Sequence, residues 1–129
     1  MEASKDILSF IPQRPPFVFI DTVEDVNHSL ARTRFTVPED CPLVTDDILP
    51  LSGLMENAAQ TCATRAGNTI GYIGAVKQME VKRFPLVGET LTTEAVVVQE
   101  VMNISLMECT TRIGDELIAT TTLKIASIE

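Results

Sequence analysis

From Leu51 to Ala66 apolar residues recur at positions 51, 54, 55, 58, 59, 62, 63 and 66, the spacing that lays one continuous stripe along an α-helix. Four of those eight, Ala58, Ala59, Ala63 and Ala66, are small, so the axis of this helix can lie closer to its cover than that of a leucine-rich helix. A sheet is the expected cover. Arg65 in the last turn and Gly67 just beyond it supply a stop. Inside this run, otherwise uncharged until Arg65, stands one acid, Glu56, and its presence needs an explanation.

The rest of the chain reads as strands and turns. "FVFIDTVEDV" and "LARTRFTV" flank "NHS", which predicts a hairpin from Phe17 onward with His28 exposed at its tip. Residues 38–50 hold three prolines and four acids without a period, so they form a long connection. After the helix come strand-like runs over 71–84, 89–102 and 104–113, and "GD" turns the chain into a last run, "ELIATTTLKIASI". The expected order is a hairpin, one buried helix, and three or four antiparallel strands meandering past it, an α+β arrangement with no βαβ alternation.

One domain over residues 1–129 suits this length. The net charge of −8 disfavours nucleic acid and anionic lipid as partners, and no apolar window approaches the length of a membrane span. A soluble, cytoplasmic protein is expected. Cys41, Cys62 and Cys109 are scattered and His28 is the only histidine, so neither a disulfide framework nor a metal site is predicted, and no cofactor motif is present.

Three segments in order resemble the (3R)-hydroxyacyl-acyl-carrier-protein dehydratases. They are "ILSFIPQRPPFVFIDTV" (7–23), "LPLSGLMENAAQ" (49–60) and "AVKQMEVKRFPLVGETL" (75–91). The resemblance implies a hotdog fold, a curved antiparallel sheet around one central helix. It also implies a homodimer or higher oligomer with sites at the subunit interface, acting on an acyl thioester of acyl carrier protein or coenzyme A. Glu56 matches the family's catalytic carboxylate and Gln60 the glutamine one turn later, on the same helix face. The thioester oxygen would sit on backbone amides at the helix start, here those of Leu51 and Ser52. Met55 and Gly74 complete the expected substrate-binding set, and Lys82 with Arg83 matches a basic pair that could dock an acidic carrier.

One part of the family pattern is missing. The family histidine lies in a GHFP motif whose ungapped match here, fourteen positions before Glu56, is Pro42, and a second familiar histidine is replaced by Gln13. General acid-base help amounts to about 10² to 10⁴ in rate, so the lost base matters. Asp46 and Asp47 are the nearest replacements in sequence, on the loop that leads to the helix. Three readings therefore stand side by side: a hydro-lyase with an unidentified base, a non-catalytic carrier-binding or mixed-dimer subunit, and a hotdog thioesterase in which the helix carboxylate works on water.

Overall fold

The computed structural model describes residues 7–9, 11, 13–65 and 70–128. After a single 3-10 turn at Ile7–Ser9 the elements are β1 (Thr22–Val26), β2 (Leu30–Thr36), α1 (Leu51–Thr64), β3 (Ile70–Val81), β4 (Thr90–Val101), β5 (Ile104–Ile113) and β6 (Glu116–Ile128). The six strands form one antiparallel sheet in the order β1-β2-β4-β5-β6-β3.

Period-two alternation decides which face of that sheet is covered. On β4 Leu91, Thr93 and Ala95 are buried, on β5 Ser105, Met107, Cys109 and Thr111, on β2 Ala31, Thr33 and Phe35. These side chains point at α1. Leu54 packs in a core group with Phe19, Phe35, Leu49, Leu91 and Ile118, while Ala58 and Cys62 pack with Ala95, Met107, Cys109 and Leu123. The small residues of the helix thus meet the larger ones of the sheet, as their sizes require.

Two expectations need correction. The strands after α1 do not all meander: β3 pairs with β6 at the far edge, and β4 pairs with β2 across the sheet. The helix causes this, because it carries the chain across the sheet before β3 begins. The buried face of α1 is also rotated from the apolar stripe. Gly53, Leu54, Asn57, Ala58, Gln60, Thr61, Cys62 and Thr64 are buried, whereas Leu51 is exposed and Met55, Ala59 and Ala63 are half-buried. Ala66 and Gly67 lie outside the described residues.

The reason is a polar seam. Thr61 shares a 2.8 Å hydrogen bond with Thr33, the Thr93 hydroxyl donates to Asn57 Oδ1 at 2.6 Å, and Thr93 meets Thr111 at 3.1 Å. Each of these buried polar groups has a partner, so the helix turns them inward without an unpaired group. Among the described residues no helix is long and apolar enough to cross a membrane.

Candidate functional site

The helix carrying Glu56 begins without a cap. Pro50 precedes it with extended geometry and no side-chain cap, and the first turn contains no acid. The amides of Gly53 and Leu54 both donate to the Pro50 carbonyl, at 2.9 and 3.1 Å. Leu51 and Ser52, as the first two helical residues, have no intrahelical acceptor for theirs. Both are exposed, so the two amides predicted to hold a thioester oxygen stand at an open, uncompensated positive helix end.

Glu56 is half-buried one turn further on, and its Oε1 accepts from Gln60 Nε2 at 2.9 Å. Gln60 is fully buried and fully used. Its Oε1 accepts from the Phe19 amide at 2.8 Å, and its Nε2 also donates to the Phe17 carbonyl at 3.0 Å. An amide N–H can only donate, so the Gln60 oxygen must face Phe19 and its NH₂ must face Glu56. The hydrogen between Glu56 Oε1 and Gln60 is therefore the amide's own, and Glu56 Oε1 is the acceptor. Glu56 Oε2 is engaged by no donor among the described residues.

Asn57 completes the clamp by donating to the Phe19 carbonyl at 2.8 Å. Side-chain amides of the helix thus replace the sheet bonds that the segment before β1 does not make. The predicted strand from Phe17 accordingly begins only at Thr22. Gln60 holds the acid in place and is a positioning residue in this geometry. Asn57 and Thr61 were missed by sequence reasoning, although their spacing with Gln60 and Thr64 marks a polar stripe beside the apolar one.

The rim of the site is apolar. Ile48 bridges to Leu86 and the Leu49 amide donates to the Pro85 carbonyl at 2.9 Å, which brings residues 84–88 beside the helix start. Ile48, Leu51, Phe84 and Leu86 there are between 37% and 48% exposed. Met55 lies half-buried on the same helix. Gly74 is on a different element, at a bulge of the edge strand β3, and shares no hydrogen bond with α1 among the described residues.

Among the described residues none of the candidate bases shares a hydrogen bond with Glu56. Asp46 and Asp47 have φ of 54° and 62° and form an exposed two-residue turn closed by mutual Thr45 and Ile48 backbone bonds of 3.0 Å. Pro42 is exposed. His28, with its side chain 81% exposed, meets Glu100 at 3.1 Å, and its carbonyl accepts from Arg65 at the C-terminal end of α1. From Glu56 to Arg65 the helix rises roughly 13 Å. Among the cysteines, Cys62 faces Cys109 at 3.4 Å, and that hydrogen bond together with burial pushes the Cys62 thiol well up, the reverse of an activated nucleophile.

The basic pair divides. Lys82 is exposed, whereas Arg83 grips Glu89 through two bonds of 2.9 and 3.0 Å and Glu116 through two of 3.0 Å. Hydrogen bonding to Glu89 and then Glu116 raises the Arg83 guanidinium above its ordinary value. Arg83 is thus held as a local brace between the β3–β4 connection and β6.

This geometry provides an anchored carboxylate with one open oxygen, two free amides at a helix start, and an apolar rim. Among solved structures, one chain of the dehydratase heterocomplex ApeI:P from Xenorhabdus doucetiae superposes with a TM-score of 0.87 at 15% identity, over 95% of this chain and 91% of that one. A hypothetical thioesterase from Streptococcus pneumoniae, solved with coenzyme A, gives 0.72 at 10% identity over 94% and 90%. Identities this low establish the hotdog fold and leave function to the site. In sequence, the chain is 27% identical over 136 residues to the 3-hydroxyacyl-acyl-carrier-protein dehydratase FabZ of Lactiplantibacillus plantarum, covering 95% of this chain and 91% of that protein. The sequence pattern of the ApeP-like family, described as ApeP dehydratase, matches residues 5–129, nearly the whole chain including Glu56, and on that match the protein belongs to the ApeP-like dehydratase family.

Proposed function

We propose that this protein contributes an acid half-site to the dehydration of (3R)-hydroxyacyl thioesters, and that the base comes from a second subunit. Glu56 protonates the leaving 3-hydroxyl through Oε2. The Leu51 and Ser52 amides hold the thioester oxygen as the α-proton is removed, stabilising charge where it develops. The carrying observation is the placement of one fixed acid at an open helix start while the single histidine sits at the other end of that helix.

Strand β3 is the natural seam for that second subunit. It is an edge strand with Ile73 and Val76 each more than 40% exposed, so its outer backbone groups are free to pair. The Xenorhabdus neighbour is part of a dehydratase heterocomplex, which favours a mixed pair with a histidine-bearing dehydratase over a self-sufficient homodimer. The substrate would arrive on an acidic carrier protein or as a coenzyme A thioester, with no metal or cofactor required by the chemistry.

The test is reconstitution. Enoyl thioester formation should be weak for this chain alone, rise on co-purification with a histidine-bearing dehydratase, and fall about 10² to 10⁴-fold when Glu56→Gln enters the pair. Full activity of the Glu56→Gln pair would remove this chain from the chemistry. A thioesterase built on the same carboxylate is favoured by the Streptococcus neighbour alone, and release of free thiol instead of enoyl product distinguishes it.

A further inference from the structure

Of the cations on described residues, Arg32, Arg34, Arg65 and Arg83 each meet a carboxylate at 2.8 to 3.6 Å. Arg14 turns back on the carbonyls of Ile11 and Gln13. Lys77, Lys82, Arg112 and Lys124 have no carboxylate partner among the described residues, in a chain whose acids outnumber its bases by eighteen to ten. Two of these four, Lys77 and Lys124, line one hollow of about 280 Å³ with Gln99, Val101, Ile104 and Leu106, and no acid lines it.

Register places this hollow on the sheet face opposite α1. Gln99 pairs with Leu106 and Leu106 with Lys124, while Ser105 and Met107, on either side of Leu106, are the buried residues. The Lys77 side is set by a β3 bulge between Val76 and Gln78. At its end the β4–β5 turn presents Val101 at 57%, Met102 at 94% and Ile104 at 42% exposure. Met102 has φ of 56°, a backbone region that favours glycine, so a long apolar side chain stands where the turn itself would be better served without one. Methionine is also the apolar side chain that adapts best to a partner's surface.

We propose that this hollow and the Met102 turn dock the acidic carrier protein that delivers the thioester. Helical carboxylates of the carrier would meet Lys77 and Lys124, and its apolar residues would lie on Val101, Met102, Ile104 and Leu106, a helix-in-groove contact with charge complementarity at its rim. The identity of the partner rests on the function proposed above; the surface does not. Arg83, already doubly paired, then has no part in docking, and Lys82 lies outside the residues lining the hollow.

Fluorescence anisotropy with purified, labelled acyl carrier protein tests this on the folded chain and on its complex with the second subunit. Lys77→Glu with Lys124→Glu should weaken binding at least about tenfold, with the remaining affinity losing most of its salt dependence. Met102→Asp should weaken it by about tenfold as well, since it sets an acid against an acid. Unchanged binding in the double reversal, no carrier binding by the unmodified protein, or a loss caused by Lys82→Glu instead would each overturn the proposal. Turnover separates the two readings. The ratio of carrier-borne to short-thiol thioester turnover should fall with the double reversal, whereas Glu56→Gln should depress both substrates together. Carrier binding that depends on Lys77 and Lys124 without any turnover would defeat the dehydration reading and leave this one standing.

Discussion

Gln60 carries two tasks that pull on the same amide group. It fixes Glu56, and it replaces a strand partner for Phe17 and Phe19. Gln60→Leu would strand a buried donor and acceptor, at about 1 to 3 kcal/mol each. We expect a loss of roughly 2 to 5 kcal/mol by urea unfolding, whereas Glu56→Gln, which keeps a polar group at a half-buried position, should stay within about 1 kcal/mol of the parent. Equal losses in the two variants would mean that Gln60 has no clamp role. The pairing of Glu56 with Gln60 was legible, because residues four apart share a helix face. The clamp was not, because its other end lies 41 and 43 residues upstream and no local period encodes it.

At the scale of the element, the position and length of α1 followed from its periodicity, and its rotation did not. Apolar pattern finds the face with the fewest polar atoms, but burial goes to the face whose polar atoms all find partners, here Asn57, Gln60, Thr61 and Thr64. Ala59 and Ala63, read from sequence as core, are left half-buried. Gly53 shows how tightly the buried side fits: an added Cβ would overlap Leu49 Cδ1 and Cγ, and Leu49 is fully buried with little room to yield. Gly53→Ala gains about 1 kcal/mol of helix propensity, but overpacking costs about 1 to 3 kcal/mol. A modest net fall in melting temperature is expected; a rise would show that Leu49 repacks freely. The strand pairing was hidden for a related reason. Hydrophobic alternation identifies β3 as a strand and is silent about whether it joins β4 or crosses to β6.

At the scale of the whole molecule, two acids, Glu89 and Glu100, are held charged by specific partners. Glu89 lies below its ordinary carboxylate value of 4.5, chiefly through Arg83 and then through the Leu86 amide, and Glu100 is lowered chiefly by Ser105. A carboxylate whose folded value is depressed contributes stability that is present above the unfolded value and lost as pH falls through the folded one. Stability should therefore decline below about pH 4.5, and Arg83→Gln should flatten that decline by removing the larger cause acting on Glu89. Melting temperature across pH 3 to 6, in steps of about half a unit, reads the difference; parallel curves for parent and variant would remove Arg83 from the account. The hotdog fold was legible from three ordered motifs together with the strand and helix pattern. Of the candidate site, the pairing of Glu56 with Gln60 was legible and the anchoring of Gln60 to Phe17 and Phe19 was not.

Cys41, Cys62 and Cys109 are all buried, at 8%, 4% and 2% exposure. A thiol-reactive dye added to the folded protein meets no accessible cysteine among them, so the colour it develops reports thiol freed from substrate. Hydrolysis of a thioester can then be followed continuously without masking the protein first, and a sudden protein-derived signal in the same trace would register unfolding.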